Sequence, residues 1–252
     1  MKNYFDLTGR VAVITGASSG IGNSYCRTFA EHGAKIAAFA RRIDRLEQLK
    51  AEIEAAGGEC LPIQCDVSVE DQVVKGVQKV IDHFGKIDIL INVAGAISPC
   101  PTIDLPLERW QRDVNVSLTG YFLMARECGK NMVKNNYGRI INTASMFGKI
   151  SSFHNPILSY NATKGAIPNF TRSLAQEWAA YNITVNAIGP GMFPTEMMVE
   201  NDAATQYLVQ RCPIGRFGTL DELQGQTLLF ASEYNSYTTG QTIYIDGGWT
   251  CV

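Results

Sequence analysis

RVAVITGASSGIGNSYCRTFAEHG, residues 10 to 33, is the stretch whose reading decides the fold. Arg10 to Thr15 is a short run rich in β-branched residues that ends at a glycine, as a buried parallel strand does. Gly16 to Gly22 (GASSGIG) follows, and Ile21, Tyr25 and Phe29 then recur at helical spacing until Gly33 closes the segment. Strand, glycine turn and helix in that order form the start of a dinucleotide site. The glycines let backbone approach a pyrophosphate, and the helix N-terminus offers N–H donors and the positive end of its dipole. The spacing is Gly-x-x-x-Gly-x-Gly, not G-x-G-x-x-G, so the turn taken alone reads equally well as a purely structural one.

Outward from it, Lys35 to Ala40 (KIAAFA) reads as a second strand. An acid at its exit would hold the ribose hydroxyls of NAD, but the chain has Ala40-Arg41-Arg42. Arginine there suits a 2′-phosphate through a charge-assisted fork, which makes NADP(H) the preferred cofactor with NAD(H) the other. The plainer reading has both arginines opening the next helix as solvated residues. Arg42 to Ala56 is amphipathic through Leu46, Leu49 and Ile53; Cys60 to Cys65 is a third strand leading into Asp66-Val67. Val69 to Phe84 is helical in period, and Ile87 to Val93 a fourth strand running into Ala94-Gly95. Strands alternating with helices in this way predict a parallel, doubly wound sheet with right-handed crossovers. Ligands of such sheets bind beyond the C-terminal strand ends, where Gly16, Arg41, Asp66 and Asn92 all fall.

Leu105 to about Lys134 reads as one long helix with Trp110, Val114, Leu118 and Phe122 toward a core. Asn115 in its middle is a poor helix residue; it either points at solvent or marks a kink holding water. Gly138 to Ala144 (GRIINTA) is a fifth strand and delivers Ser145. Fifteen residues on stands Tyr160, followed by Lys164, and a helix beginning between Pro156 and Ser159 puts these two at i and i+4 on one face. A fixed ammonium beside a phenol lowers its pKa from about 10 and readies it for acid–base work. Ser145 is placed to donate a hydrogen bond to a carbonyl oxygen. Alone, Tyr-x-x-x-Lys is common on surface helices. Thr184 to Ile188 is a sixth strand ending in Gly189-Pro190-Gly191, and Gln241 to Asp246 a seventh before Gly247-Gly248. Between them, residues 191–217 have no clean period and carry Met192, Phe193, Met197 and Met198, as a lid built partly of short helices would. Asp221 to Ser232 is a further helix.

No linker or boundary interrupts the 252 residues, so residues 1–252 read as one α/β domain, seven strands flanked by helices. A net charge of −2 leaves no footprint for nucleic acid or an anionic membrane. No apolar run reaches the ~18 residues a spanning helix needs, and no hydrophobic run precedes the first strand as in a signal peptide. Seven cysteines without a C-x-x-C pair, and histidines scattered at 32, 83 and 154, offer no metal spacing; reduced thiols in the cytoplasm are expected.

Several motifs fall in order along the chain: Thr15-Gly16-x-x-x-Gly20-x-Gly22, Asp66, Asn92-x-Ala94-Gly95, Asn115, Ser145, Tyr160-x-x-x-Lys164, Pro190-Gly191 and Asp246-Gly247-Gly248. Over essentially its full length the chain resembles the short-chain dehydrogenase/reductase family in its single-domain form, nearest to the gluconate 5-dehydrogenase and 3-oxoacyl reductase type. The resemblance implies an oxidoreductase working between NADP(H) and a ketone or secondary alcohol. It implies a tetrad: Tyr160 as general acid or base, Lys164 lowering its pKa, Ser145 polarising the carbonyl and Asn115 holding a water that links Lys164 to solvent. For the cofactor it points to Gly16, Ser18, Ser19 and Ile21 in the turn, Arg41, Asp66 and Val67 for the adenosine end, and Asn92 and Ala94 beyond the fourth strand. Tyr160, Lys164, Ile188, Pro190 and Thr195 complete that set, with Thr195 on the carboxamide. Phe147, His154, Met192 and Phe193 are the candidate substrate contacts, although an exposed loop residue without a role is the preferred reading of His154. Family members assemble as homotetramers through their two long helices and the last strand, placing residues 249–252 at an interface.

Two departures stand out. Val93 replaces the usual second asparagine of Asn-Asn-Ala-Gly, and the loop between Ser145 and Tyr160 is longer than is usual. The rival reading is a nucleotide-binding sensor of the same fold that does not turn over, for which replacement of the tyrosine or lysine would be expected.

Overall fold

Successive side chains of a strand leave opposite faces of a sheet, so a strand covered on both sides must be apolar throughout. Along β1 (Val11–Thr15), Ala12 and Ile14 join one core cluster while Val11 and Val13 join the other. The same division runs through β2 (Lys35–Ala40), where Ile36 and Ala38 face one layer and Ala37 and Phe39 the opposite one. The computed structural model describes residues 3–152, 155–196 and 203–251. The expected doubly wound architecture is present: seven parallel strands in the order β3-β2-β1-β4-β5-β6-β7, with β3 at Glu59–Gln64, β4 at Ile89–Asn92, β5 at Gly138–Thr143, β6 at Ile183–Pro190 and β7 at Thr242–Ile245. Helices α1 (Gly20–Glu31) and α2 (Ile43–Ala55) cover one face, and α3 (Glu70–Phe84) covers the other. Strand order reverses at the neighbours β1 and β4, which opens a crevice at their C-terminal ends.

The long helix expected over residues 105–134 is divided. It comprises α4 (Leu107–Val114), one π-helical turn at Asn115–Thr119, and α5 (Gly120–Asn135). A π turn inserts extra residues into the helical repeat and so rotates everything after it. The expected face through Phe122 is lost for that reason: Phe122 is 46% exposed, whereas Tyr121, Met124 and Cys128 are buried. α6 (Leu158–Trp178) starts within the expected window. α7 (Ala203–Arg211) is the helical part of the segment 191–217 expected as a lid; Met197 and Met198 lie outside the described residues. The helix expected at 221–232 is a 3₁₀ turn, Leu220–Leu223, continued by α8 (Gln224–Ala231). Thr219 and Glu222 form a capping box at its start. Trp249, expected at a subunit interface, is buried in its own chain with Met146 and Cys212, and its Nε1 donates to the Leu208 carbonyl at 3.1 Å. No helix among the described residues is long and apolar enough to cross a membrane.

Candidate active site

The C-terminal end of β5 supplies two site groups in succession, the Thr143 carbonyl and Ser145. Ser145 is in extended conformation and caps a 3₁₀ turn at Met146–Gly148, its Oγ accepting from the Phe147 N–H at 3.2 Å. That turn packs directly on α6. A Cβ at Gly148 would stand 2.4 Å from the Lys164 carbonyl oxygen, so only glycine lets the turn come this close. The start of α6 is held from the other side. Ser159 Oγ donates to Asp113 Oδ2 at 2.6 Å, and Ser98 Oγ donates to Asp113 Oδ1 at 2.9 Å. The wholly buried Asp113 thus joins α4, α6 and the loop after β4 in front of Tyr160.

Lys164 is buried, and its ammonium donates to the Thr143 carbonyl at 2.6 Å and to the Tyr121 hydroxyl at 3.2 Å. Tyr121 in turn donates to the same carbonyl at 3.2 Å. Desolvation carries the lysine pKa down to about 7, because a charge is costly away from water. Tyr160 departs from the expectation of a lowered pKa. Burial raises the phenol, and a hydrogen bond with Ser145 is what opposes the rise. The Lys164 nitrogen sits 5.7 Å from the centre of the Tyr160 ring, with its bonds turned to Thr143 and Tyr121. Tyr121 was not among the residues singled out from sequence; only the π turn brings it to this face.

Asn115 is the clearest correction. It is exposed at the first position of the π turn and does not line the cleft. The residue this segment turns inward is Ser117, buried, with its Oγ accepting from the Ala96 N–H at 3.0 Å. A Cβ placed on Gly95 would lie 3.8 Å from both Ser117 Oγ and Lys164 Nζ, so the two flank the same backbone point. Two residues along a helix is roughly half a turn, so Asn115 and Ser117 cannot both face the site.

A single cleft of about 550 Å³ runs from these residues to the glycine turn. Gly16, Ser18, Ser19, Ile21, Arg41, Asp66, Val67, Ala94, Pro190 and Thr195 all line it, together with Ser145, Phe147, Tyr160, Lys164, Met192 and Phe193. Asn92 and Ile188 do not. Asn92 is buried in the sheet, where its Nδ2 donates to Asn142 Oδ1 at 3.0 Å and Asn142 Nδ2 donates on to Thr171 Oγ1 at 3.1 Å. Val93 packs against the core instead of supplying a second amide. Ile188 belongs to the core as well, and His154 lies outside the described residues.

The residues present suit a dinucleotide. Gly16 adopts φ +68°, and a Cβ there would meet the Ala94 nitrogen at 3.0 Å. No side chain caps the N-terminus of α1, leaving first-turn N–H groups for an anion. Asp66 Oδ1 accepts from the N–H and Oγ of Ser68, which orients the carboxylate at the cleft edge. Of the two arginines, the exposed Arg41 has no side-chain partner among the described residues. Arg42 lies over the glycine turn, donating to Ser18 Oγ at 3.0 Å and Ser19 Oγ at 2.9 Å, and pairs with Glu196 at 3.2 Å.

Residues 10–206 match the family model described as short chain dehydrogenase, and the chain belongs to the short-chain dehydrogenase/reductase family. It is 32% identical over 251 residues to a gluconate 5-dehydrogenase of Gluconobacter oxydans, covering 98% of this chain and 97% of that one. It is 36% identical over 245 residues to a 3-oxoacyl-acyl-carrier-protein reductase of Synechocystis, covering 96% and 97%. The crystal structure of a gluconate 5-dehydrogenase from Burkholderia cenocepacia in complex with NADP and tartrate superposes with a TM-score of 0.93 at 33% identity, covering 99% of this chain and 98% of that one.

Proposed function

We propose that this chain reduces a ketone, or oxidises the matching secondary alcohol, with NADP(H) and with Tyr160 as the general acid and base. The observation that carries the reading is the single cleft joining Ser145, Tyr160 and Lys164 to the glycine turn and Arg41. NADPH, when bound, supplies the hydride. The Ser145 hydroxyl donates to the substrate carbonyl oxygen, and Tyr160 delivers a proton to that oxygen as it becomes an alkoxide. The raised phenol pKa suits Tyr160 to donation in the reductive direction. Lys164, anchored on Thr143 and Tyr121, holds positive charge behind the phenol as phenolate forms. The NADP-bound relative supports the cofactor assignment. Ile97, Phe147, Met192 and Phe193 give the substrate end an apolar lining.

The chain acts as a single domain in this reading, with residues 191–217 as its lid and the cytoplasm as its compartment, in keeping with seven free cysteines. Exposed Leu107, Phe122 and Leu158 mark the α4–α5 and α6 surfaces as the faces that pair in a homotetramer. Light scattering at micromolar concentration reads the assembly, and a monomer would refute it. The activity is tested by following NADPH and NADH oxidation with a panel of polyhydroxy, oxoacyl and bulky apolar ketones. Tight NADPH binding without turnover of any of them would point to a nucleotide sensor instead.

A further inference from the structure

The first residues of the lid lie across the phosphate turn. Thr195 packs on Gly20, where an added Cβ would be 3.3 Å from its Cγ2, and Glu196 follows it to the cleft edge. The Glu196 carboxylate accepts from Arg42 Nη1 at 3.2 Å and pairs with Arg45 as well. Those two cations hold its pKa below the usual carboxylate range. Arg42 is thereby fully engaged: two serines of the glycine turn take part of its guanidinium and Glu196 takes another. Arg41, one residue before it, has no side-chain partner among the described residues.

We infer that Glu196 is a specificity-determining residue: an internal anion that occupies Arg42 and competes with the 2′-phosphate of NADP(H), moderating the preference for NADP(H) over NAD(H). The inference rests on the NADP(H) reading above. A 2′-phosphate entering beside Arg41 brings about two negative charges to an arginine pair already half neutralised by a carboxylate. Binding therefore has to displace Glu196 from Arg42 or tolerate like charge beside it. NADH carries no such phosphate, so it leaves the Arg42–Glu196 pair as it stands. Arg45 holds Glu196 in either case, which keeps the lid's start near the turn.

The test is binding, measured by calorimetry on the full chain with three probes: NADPH, NADH and adenosine 2′,5′-bisphosphate. Glu196→Gln is exposed and keeps the side-chain volume, so its fold is unaffected. It is expected to tighten NADPH and adenosine 2′,5′-bisphosphate by about three- to fivefold, the range of an exposed charge pair, with NADH within about twofold. Adding Arg42→Gln to that variant should abolish the gain. Equal shifts for all three probes, or no shift in any, would overturn the role of Glu196. A wild type that binds NADH more tightly than NADPH would remove the NADP(H) reading itself, and this inference with it.

Discussion

Replacing Tyr121 with Phe removes one oxygen and leaves the ring that fills the space beneath Lys164. Two contacts are lost, the 3.2 Å bond in which the Tyr121 hydroxyl accepts from the ammonium and the 3.2 Å bond it donates to the Thr143 carbonyl; only the first acts directly on the Lys164 charge. An acceptor favours the charged form of an amine, so its loss must lower the Lys164 pKa further. A hydrogen bond to a charged group is worth about 1.5 to 3 kcal/mol, and a long one belongs at the lower end. At about 1.4 kcal/mol per unit, the shift is about one pKa unit. Lys164 starts at about 7, and Tyr121→Phe moves it further down. If reduction needs the ammonium, the alkaline limb of kcat/KM follows this group. The variant should then be about tenfold slower than wild type near pH 8 and within about twofold near pH 5.5. NMR of isotopically labelled lysine reads the same displacement without turnover. Superimposable pH profiles, or a loss that is uniform with pH, would refute the coupling of Tyr121 to Lys164.

Tyr160→Phe should bind NADPH as wild type does yet lose about 10²- to 10⁴-fold in kcat; activity within a few-fold would eliminate the proposed proton transfer. Asn115→Ala, at an exposed position, should leave stability within about 0.5 kcal/mol and turnover unchanged. Ser117→Ala should cost about 1 to 3 kcal/mol in denaturant melts by stripping the Ala96 N–H of its acceptor, with turnover reduced as well; equal effects at the two positions would contradict the placement of this helix. Gly148→Ala should lower stability by about 1 to 3 kcal/mol and depress kcat, because the new methyl must push Ser145 away from α6; an unchanged Tm would show that the turn has slack. Ala40→Asp with Arg41→Leu should reverse the cofactor order, since the arginine contact to phosphate is worth about 1.5 to 3 kcal/mol, or about ten- to a hundredfold in kcat/KM; a preference for NADPH in both proteins would locate the selectivity elsewhere.

The strand–helix alternation was legible in the sequence because the central strands β1, β2 and β4 are almost wholly apolar and the helices between them apolar on one face, and those periods are local. Gly16 to Gly22 needed no partner to be read, nor did the shared face of Tyr160 and Lys164, for both rest on spacing within one segment. Asn115 went wrong for the opposite reason. Its helix changes repeat at the π turn, and no local signal says that Ser117 and Tyr121, not Asn115 and Phe122, turn inward. Gly148 carries no visible mark either, since the atom it must avoid belongs to Lys164, sixteen residues along the chain. Which of the two arginines is paired was beyond the sequence too, because Arg42 finds Glu196 154 positions along the chain. The sequence by itself determined the alternation of strands and helices and the turn that opens the cofactor site. Tertiary structure alone decided which side chains meet, because close packing admits one phase per helix and a charge goes to the nearest partner in space.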